Sequence, residues 1–150
     1  MVKRTNLEST PCPVARSLNA IGDWWSLLII RDAFDGLHRF GEFQKSLGMA
    51  KNILSSRLKT LVAHNILEIR PASDGSAYKD YVLTEKGRGL FLVIVSLRQW
   101  GETFFFDPDE AHSILVERAS GAPIPTMTLR NQHGILLTPD NTGVKKITPS

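Results

Sequence analysis

At 150 residues, 42% hydrophobic and 22% charged, the chain has the composition of one ordinary globular domain with at most a small appendage. A formal net charge of +3 is too small to make the whole surface a polyanion binder, and a single cysteine excludes an intrachain disulfide framework. The apolar run 90–95 is too short to cross a membrane and no apolar stretch follows the polar N-terminus, so a cytoplasmic protein without a membrane partner is expected.

Residues 1–10 are polar and read as a flexible N-terminus. Pro13 suits the first position of a helix in which Val14, Leu18 and Ile21 recur at spacings of four and three. Gly22 breaks that helix, and Asp23 caps a second over 24–34. Trp25, Leu28, Ile29 and Ala33, with Leu27 and Ile30, leave the second helix little polar surface, so it belongs at the centre of the core. A short helix over 40–47 follows, then a turn at Gly48, then a longer helix over about 50–64 that buries Ile53, Leu54, Leu58, Leu61 and Val62. Asn65 ends it in the left-handed conformation. Strands over 66–70 and 78–83 flank a turn-rich loop and form a hairpin. Thr84 caps a last long helix over 85–105, apolar almost all round from Leu90 to Trp100. A small monomer cannot bury that on one face, so part of it is expected at a dimer surface. In the extension over 108–150, residues 110–119 read as a short helix, and 125–130 and 134–137 as short strands.

Helix, tight break, helix and hairpin in that order give a mostly α, α+β fold, a winged helix-turn-helix over 11–107. Local charge agrees. Residues 36–65 carry Arg39, Lys45, Lys51, Arg57 and Lys59 against Glu42 alone, a local +4 that exceeds the +3 of the whole chain. On the longer helix Lys51, Asn52, Ser55, Ser56 and Lys59 lie opposite Leu54, Leu58 and Leu61. The Asn52 amide can pair bidentately with adenine, and Ser55 and Ser56 suit base edges or phosphates. Lys51, Arg57 and Lys59 suit phosphates, Lys51 also reaching guanine, and Arg39 is counted with this DNA-binding set. Arg70 and Lys79, with Ser73 and Ser76, give the hairpin a modestly basic tip suited to a minor groove or a backbone. A plain solvated helix face would carry similar residues; the elements around it favour a DNA reader.

Cys12 stands where it can cap the first helix, whose free N–H groups and dipole stabilise a thiolate, with Arg16 one turn on. Such a thiol can sense oxidants or electrophiles; a small, partly buried apolar residue is the competing reading. His38, His64, His112 and His133 have no ligand spacing, and there is no P-loop, zinc-hydrolase helix or nucleophile elbow. No metal, no cofactor and no enzymatic activity are therefore expected. A thiol enzyme built on Cys12 would need a base, and no histidine lies within the first 37 residues.

Several motifs occur in order across residues 12–101: Cys12-Pro13, Ile21-Gly22-Asp23-x-Trp25-Ser26-Leu27-Leu28-Ile29-Ile30-Arg31, and Arg39-Phe40-Gly41-Glu42-Phe43. They continue with Asn52-Ile53-Leu54-Ser55-Ser56-Arg57-Leu58, Tyr81-x-Leu83-Thr84-x-Lys86-Gly87 and Trp100-Gly101. In these the chain resembles the HxlR-type family of bacterial winged-helix transcriptional regulators, relatives of the MarR type. The resemblance implies a homodimer built from the first and last long helices, with Val14, Leu18, Leu90, Phe91, Ile94, Leu97, Trp100 and Phe104 at its interface. It implies a repressor whose two recognition helices meet a palindromic double-stranded operator. It also implies that Cys12 can act as a redox or electrophile sensor, as a cysteine there does in some members. The alternatives are a regulator switched by a small-molecule ligand at the dimer seam, and a winged-helix protein-interaction module. Trp24, where the family usually has a polar or basic residue, and Asn65, in place of the usual glycine, depart from the pattern.

Overall fold

The structure, a computed structural model, describes residues 7–147; most of the N-terminal segment expected to be flexible lies outside that range. Helix α1 (Pro13–Ile21) opens on Cys12, whose Sγ accepts the Ala15 N–H at 3.4 Å. Gly22 ends it because a Cβ there would lie 2.3 Å from the Leu18 carbonyl oxygen. Asp23 caps α2 (Trp24–Phe34), its two carboxylate oxygens accepting from the N–H and hydroxyl of Ser26 at 2.8 and 2.6 Å. Helix α3 (Phe40–Leu47) ends at Gly48 with φ +63°, and α4 (Lys51–Ala63) is followed by Asn65 at φ +60°. These bounds and the left-handed asparagine are as the sequence predicts.

The core gathers Ile29 and Ile30 from α2, Phe43 from α3, Leu54, Leu58 and Leu61 from α4, and Ile66 and Leu67 beyond it, all buried. Ile53, expected in that core, is 40% exposed. It lies about 100° round α4 from Leu54, at the edge of the buried stripe. Strands β1 (Leu67–Pro71) and β2 (Lys79–Leu83) pair antiparallel, with Leu67 opposite Leu83 and Ile69 opposite Tyr81. The Tyr81 N–H donates to the His38 carbonyl at 2.7 Å, which ties the hairpin to the loop before α3.

The single last helix expected from the sequence is two, α5 (Glu85–Arg88) and α6 (Phe91–Phe104). Thr84 Oγ1 caps α5 by accepting the Gly87 N–H at 3.0 Å. A Cβ on Gly87 would lie 2.2 Å from the Ile66 carbonyl oxygen, so glycine is what lets α5 press against the start of the hairpin. Gly89 then closes this short turn, and two glycines so close together are a poor site for a continuous helix.

The chain divides into two units, one up to Ile94 and one from Val95, with α6 crossing the boundary. In the second unit the expected helix over 110–119 is absent, and the expected strands over 125–130 and 134–137 shrink to one isolated antiparallel bridge, Arg130 with Leu136; a second bridge, Val116 with Pro123, lies outside them. A ten-residue helix without a core to pack on is marginal, and so is a lone two-stranded hairpin. Among the described residues, no helix is long and apolar enough to cross a membrane.

Replacing Gly87 by alanine is expected to cost about 1–3 kcal/mol, because the rigid backbone oxygen of Ile66 must move. The Gly41→Ala change inside α3, where no atom lies within 4 Å of the new methyl, should be neutral or slightly stabilising. Urea denaturation of the two variants measures both.

Candidate nucleic-acid interface

Burial of Leu54, Leu58 and Leu61 leaves the opposite side of α4 in solvent. Asn52, Ser56 and Lys59 are exposed there and Ser55 is half-buried beside them. At about 100° per residue these four fall within one narrow face, with exposed Lys51 at its edge. Lys51 and Lys59 have no ion-pair partner among the described residues, so their charges are available to a ligand. The structure thus brings Lys51, Asn52, Ser55, Ser56 and Lys59 together as the sequence suggests.

Arg57 is placed differently. It sits about 140° round the helix from Asn52, and its Nε lies 3.5 Å from Asp23 Oδ1, the cap of α2. Its guanidinium links α4 to the start of α2.

Arg39 is also engaged. Its Nη2 donates to Asp74 Oδ2 at 2.6 Å and its Nε to Asp80 Oδ1 at 3.4 Å, with the guanidinium 5.5 Å from the centre of the Tyr78 ring. Asp80 is buried and also accepts the Ser73 N–H at 3.3 Å; Asp74 accepts the Ser76 N–H at 3.0 Å. One side chain at the start of α3 thereby holds both sides of the wing loop. The Arg39 hydrogen bond keeps the Asp74 carboxyl well below its ordinary 3.8, and the same bond raises the Arg39 guanidinium above its ordinary value. On the other side of Arg39, N–H groups of His38 and Arg39 donate to Glu42 Oε1 at 3.1 and 2.9 Å, and the first of these bonds chiefly lowers the Glu42 carboxyl. At the wing, Lys79 is exposed and Arg70 is paired with Glu68. Asp74, Asp80 and Tyr78, and the pairing of the cap residue Asp23 with Arg57, are not foreseen in the sequence. Their partners lie far away in the chain, and no local pattern marks them.

Cys12 is exposed, and Arg16, one turn on, donates Nε–H to the Thr10 carbonyl at 2.6 Å. Of the residues expected at a dimer surface, Val14, Leu18, Phe91, Leu97, Trp100 and Phe104 are exposed. Leu90 and Ile94 are half-buried and pack against the core.

A family model described as HxlR-like helix-turn-helix matches residues 20–109, which include α2 to α6. The chain belongs to the HxlR-like family. An uncharacterized HTH-type transcriptional regulator of Mycobacterium tuberculosis is 43% identical over 96 residues, spanning 64% of this chain and 61% of that relative. The HxlR-like fold of this chain is similar to the crystal structure of PA1607, a candidate transcription factor. The TM-score is 0.90 at 54% identity, covering 95% of this chain and all of that one. It is also similar to the reduced form of the transcriptional regulator YodB from Bacillus subtilis, with TM-score 0.55 at 30% identity, covering 67% of this chain and 100% of that one.

Because Asp74 is depressed in the folded protein, its contribution to the wing is present above its ordinary value of 3.8 and is lost only as pH falls through the lower folded value. The Asp74 carboxyl carbon shift should therefore titrate well below 3.8 in the native protein and move back toward 3.8 in Arg39→Ala. In that variant amide exchange over 72–80 should accelerate and the melting temperature should fall, because the exposed Asp74 pair contributes little but the buried Asp80 carboxylate loses its guanidinium partner.

Proposed function

We propose that this HxlR-like chain is a homodimeric transcriptional repressor that binds a palindromic operator in double-stranded DNA. The observation that carries the reading is the row Asn52, Ser55, Ser56 and Lys59, displayed on the solvent side of α4 next to a wing anchored by Arg39. A helix of this kind fits the major groove, where Asn52 can pair with an adenine edge and Lys51 and Lys59 contact phosphates. Lys79 and Arg70 on the wing suit the neighbouring backbone. Two copies joined through the exposed apolar residues of α1 and α6 would set half-sites about 34–36 Å apart or a multiple of that.

Oxidation or electrophile addition at Cys12 is the proposed switch. The thiol is exposed at a helix N-cap, and YodB is known in reduced and diamide-treated forms. Modification would remove the sulfur as acceptor for the Ala15 N–H and alter the end of α1, one of the helices assigned to the dimer.

Selection from a random duplex library, with and without diamide, tests the reading. Enrichment of a palindrome that is lost on oxidation is the expected result, and no enrichment at low salt contradicts it. Asn52→Ala should weaken binding to the selected site by about 1–3 kcal/mol and relax the preference at one base pair of each half-site. Cys12→Ser should bind as the parent does and no longer respond to diamide.

A further inference from the structure

We propose that residues 113–137 form an arm that packs on a second copy of this chain; the proposal rests on the dimer reading above and deepens it. From Ser96 to Ile147 not one residue is buried. The segment nevertheless follows a defined course along the second half of α6. Gln99 donates Nε2–H to the Pro125 carbonyl at 2.9 Å and accepts the Met127 N–H at 2.8 Å. Arg98 Nη1 donates to the carbonyl and hydroxyl of Ser113, both at 2.9 Å, and the Leu137 N–H donates to the Leu129 carbonyl at 2.7 Å.

Exposed hydrogen bonds contribute about 1 kcal/mol each, whereas ordering backbone costs about 1–2 kcal/mol per residue. A handful of such bonds cannot hold this segment without apolar burial, and among the described residues of the segment none is buried, Leu115, Ile124 and Leu137 being half-buried at most. The apolar groups are there. Ile114, Val116, Met127, Leu129, Ile135 and Leu136 are between 39% and 67% exposed. On α6, exposed Val93, Leu97, Trp100 and Phe104 recur at spacings of four, three and four, the stripe of a helix that packs along its length on another element. Gly101 lies within this stripe, with nothing inside 4 Å of where its Cβ would be.

Large apolar side chains at about half exposure leave roughly 100 Å² each to be covered. These ten residues then amount to roughly 1,000 Å² per copy and 2,000 Å² per pair, the range of a stable homodimer. A second copy is the occupant that covers both sets at once, because an isologous pair presents every surface twice. Nucleic acid does not fit. Residues 107–147 carry Asp107, Asp109, Glu110, Glu117 and Asp140 against Arg118, Arg130, Lys145 and Lys146, with no positive surplus. The family match stops at residue 109, whereas the match to PA1607 covers 95% of the chain at TM-score 0.90. The arm is thus an addition to the shared reading head, and its course recurs in a crystal structure.

Sedimentation equilibrium of the full chain, over a concentration series, tests the proposal with the variants Leu129→Glu and Leu136→Glu. The parent should be a dimer, and each variant should raise the dissociation constant at least about tenfold. Thermal unfolding of the first unit, compared at concentrations where parent and variants are both monomeric, should be unchanged, since neither side chain is in its core. A second readout needs no variant: amides over 113–137 should exchange slowly in the dimer and rapidly on dilution below its dissociation constant. A parent that is monomeric throughout would overturn both the dimer reading and the arm. A dimeric parent, with both variants at the parental dissociation constant and exchange over 113–137 insensitive to dilution, would overturn the arm alone.

Discussion

Helix α4 can hold out a polar face only because its other face is fixed in the core. Leu54, Leu58 and Leu61 are enclosed together with Ile29 and Ile30 of α2 and Phe43 of α3. Burying each such side chain is worth about 1.5–3 kcal/mol, so turning α4 by one residue, which would draw a leucine out and a serine in, is strongly disfavoured. The rotation of Asn52 and Lys59 relative to the rest of the domain is thus set by apolar packing far from any ligand. The Arg57–Asp23 pair adds a polar tie on the same side, between α4 and the cap of α2.

The wing depends on a different constraint. A two-stranded hairpin is marginal by itself, and this one is held from outside its own ladder. The Tyr81 N–H reaches the His38 carbonyl, and Arg39 spans from α3 to Asp74 and Asp80. The cation that looks from composition like a phosphate contact instead fixes the loop that would present Lys79. Of the five positive residues over 36–65, two are therefore engaged with carboxylates, and the effective basic surface is narrower than their number suggests.

Where the physics is local, the sequence was a good guide. The caps at Cys12 and Asp23, the left-handed Asn65, the apolar stripe of α4 and the hairpin all follow from residues within a few positions of each other. Arg39 with Asp74 and Asp80, and Arg57 with Asp23, are separated by more than thirty positions, so no spacing rule connects them. The break between α5 and α6 hinges on Gly87 meeting the backbone of Ile66, a tertiary contact that periodicity does not register. The extension misled for the opposite reason. Its short apolar runs resemble a helix and strands, but regular elements of that length persist only against a core, and among the described residues from Ser96 to Ile147 none is buried.

We propose that α4 meets DNA with the Asn52–Lys59 face while Arg57 serves the scaffold. The most direct test is the salt dependence of operator binding for the parent, Lys59→Ala and Arg57→Ala, measured by fluorescence anisotropy. Loss of a phosphate contact should lower the slope of log K against log salt by about 1 in Lys59→Ala, with the parental slope kept in Arg57→Ala. A slope that falls in Arg57→Ala and is unchanged in Lys59→Ala would contradict that assignment.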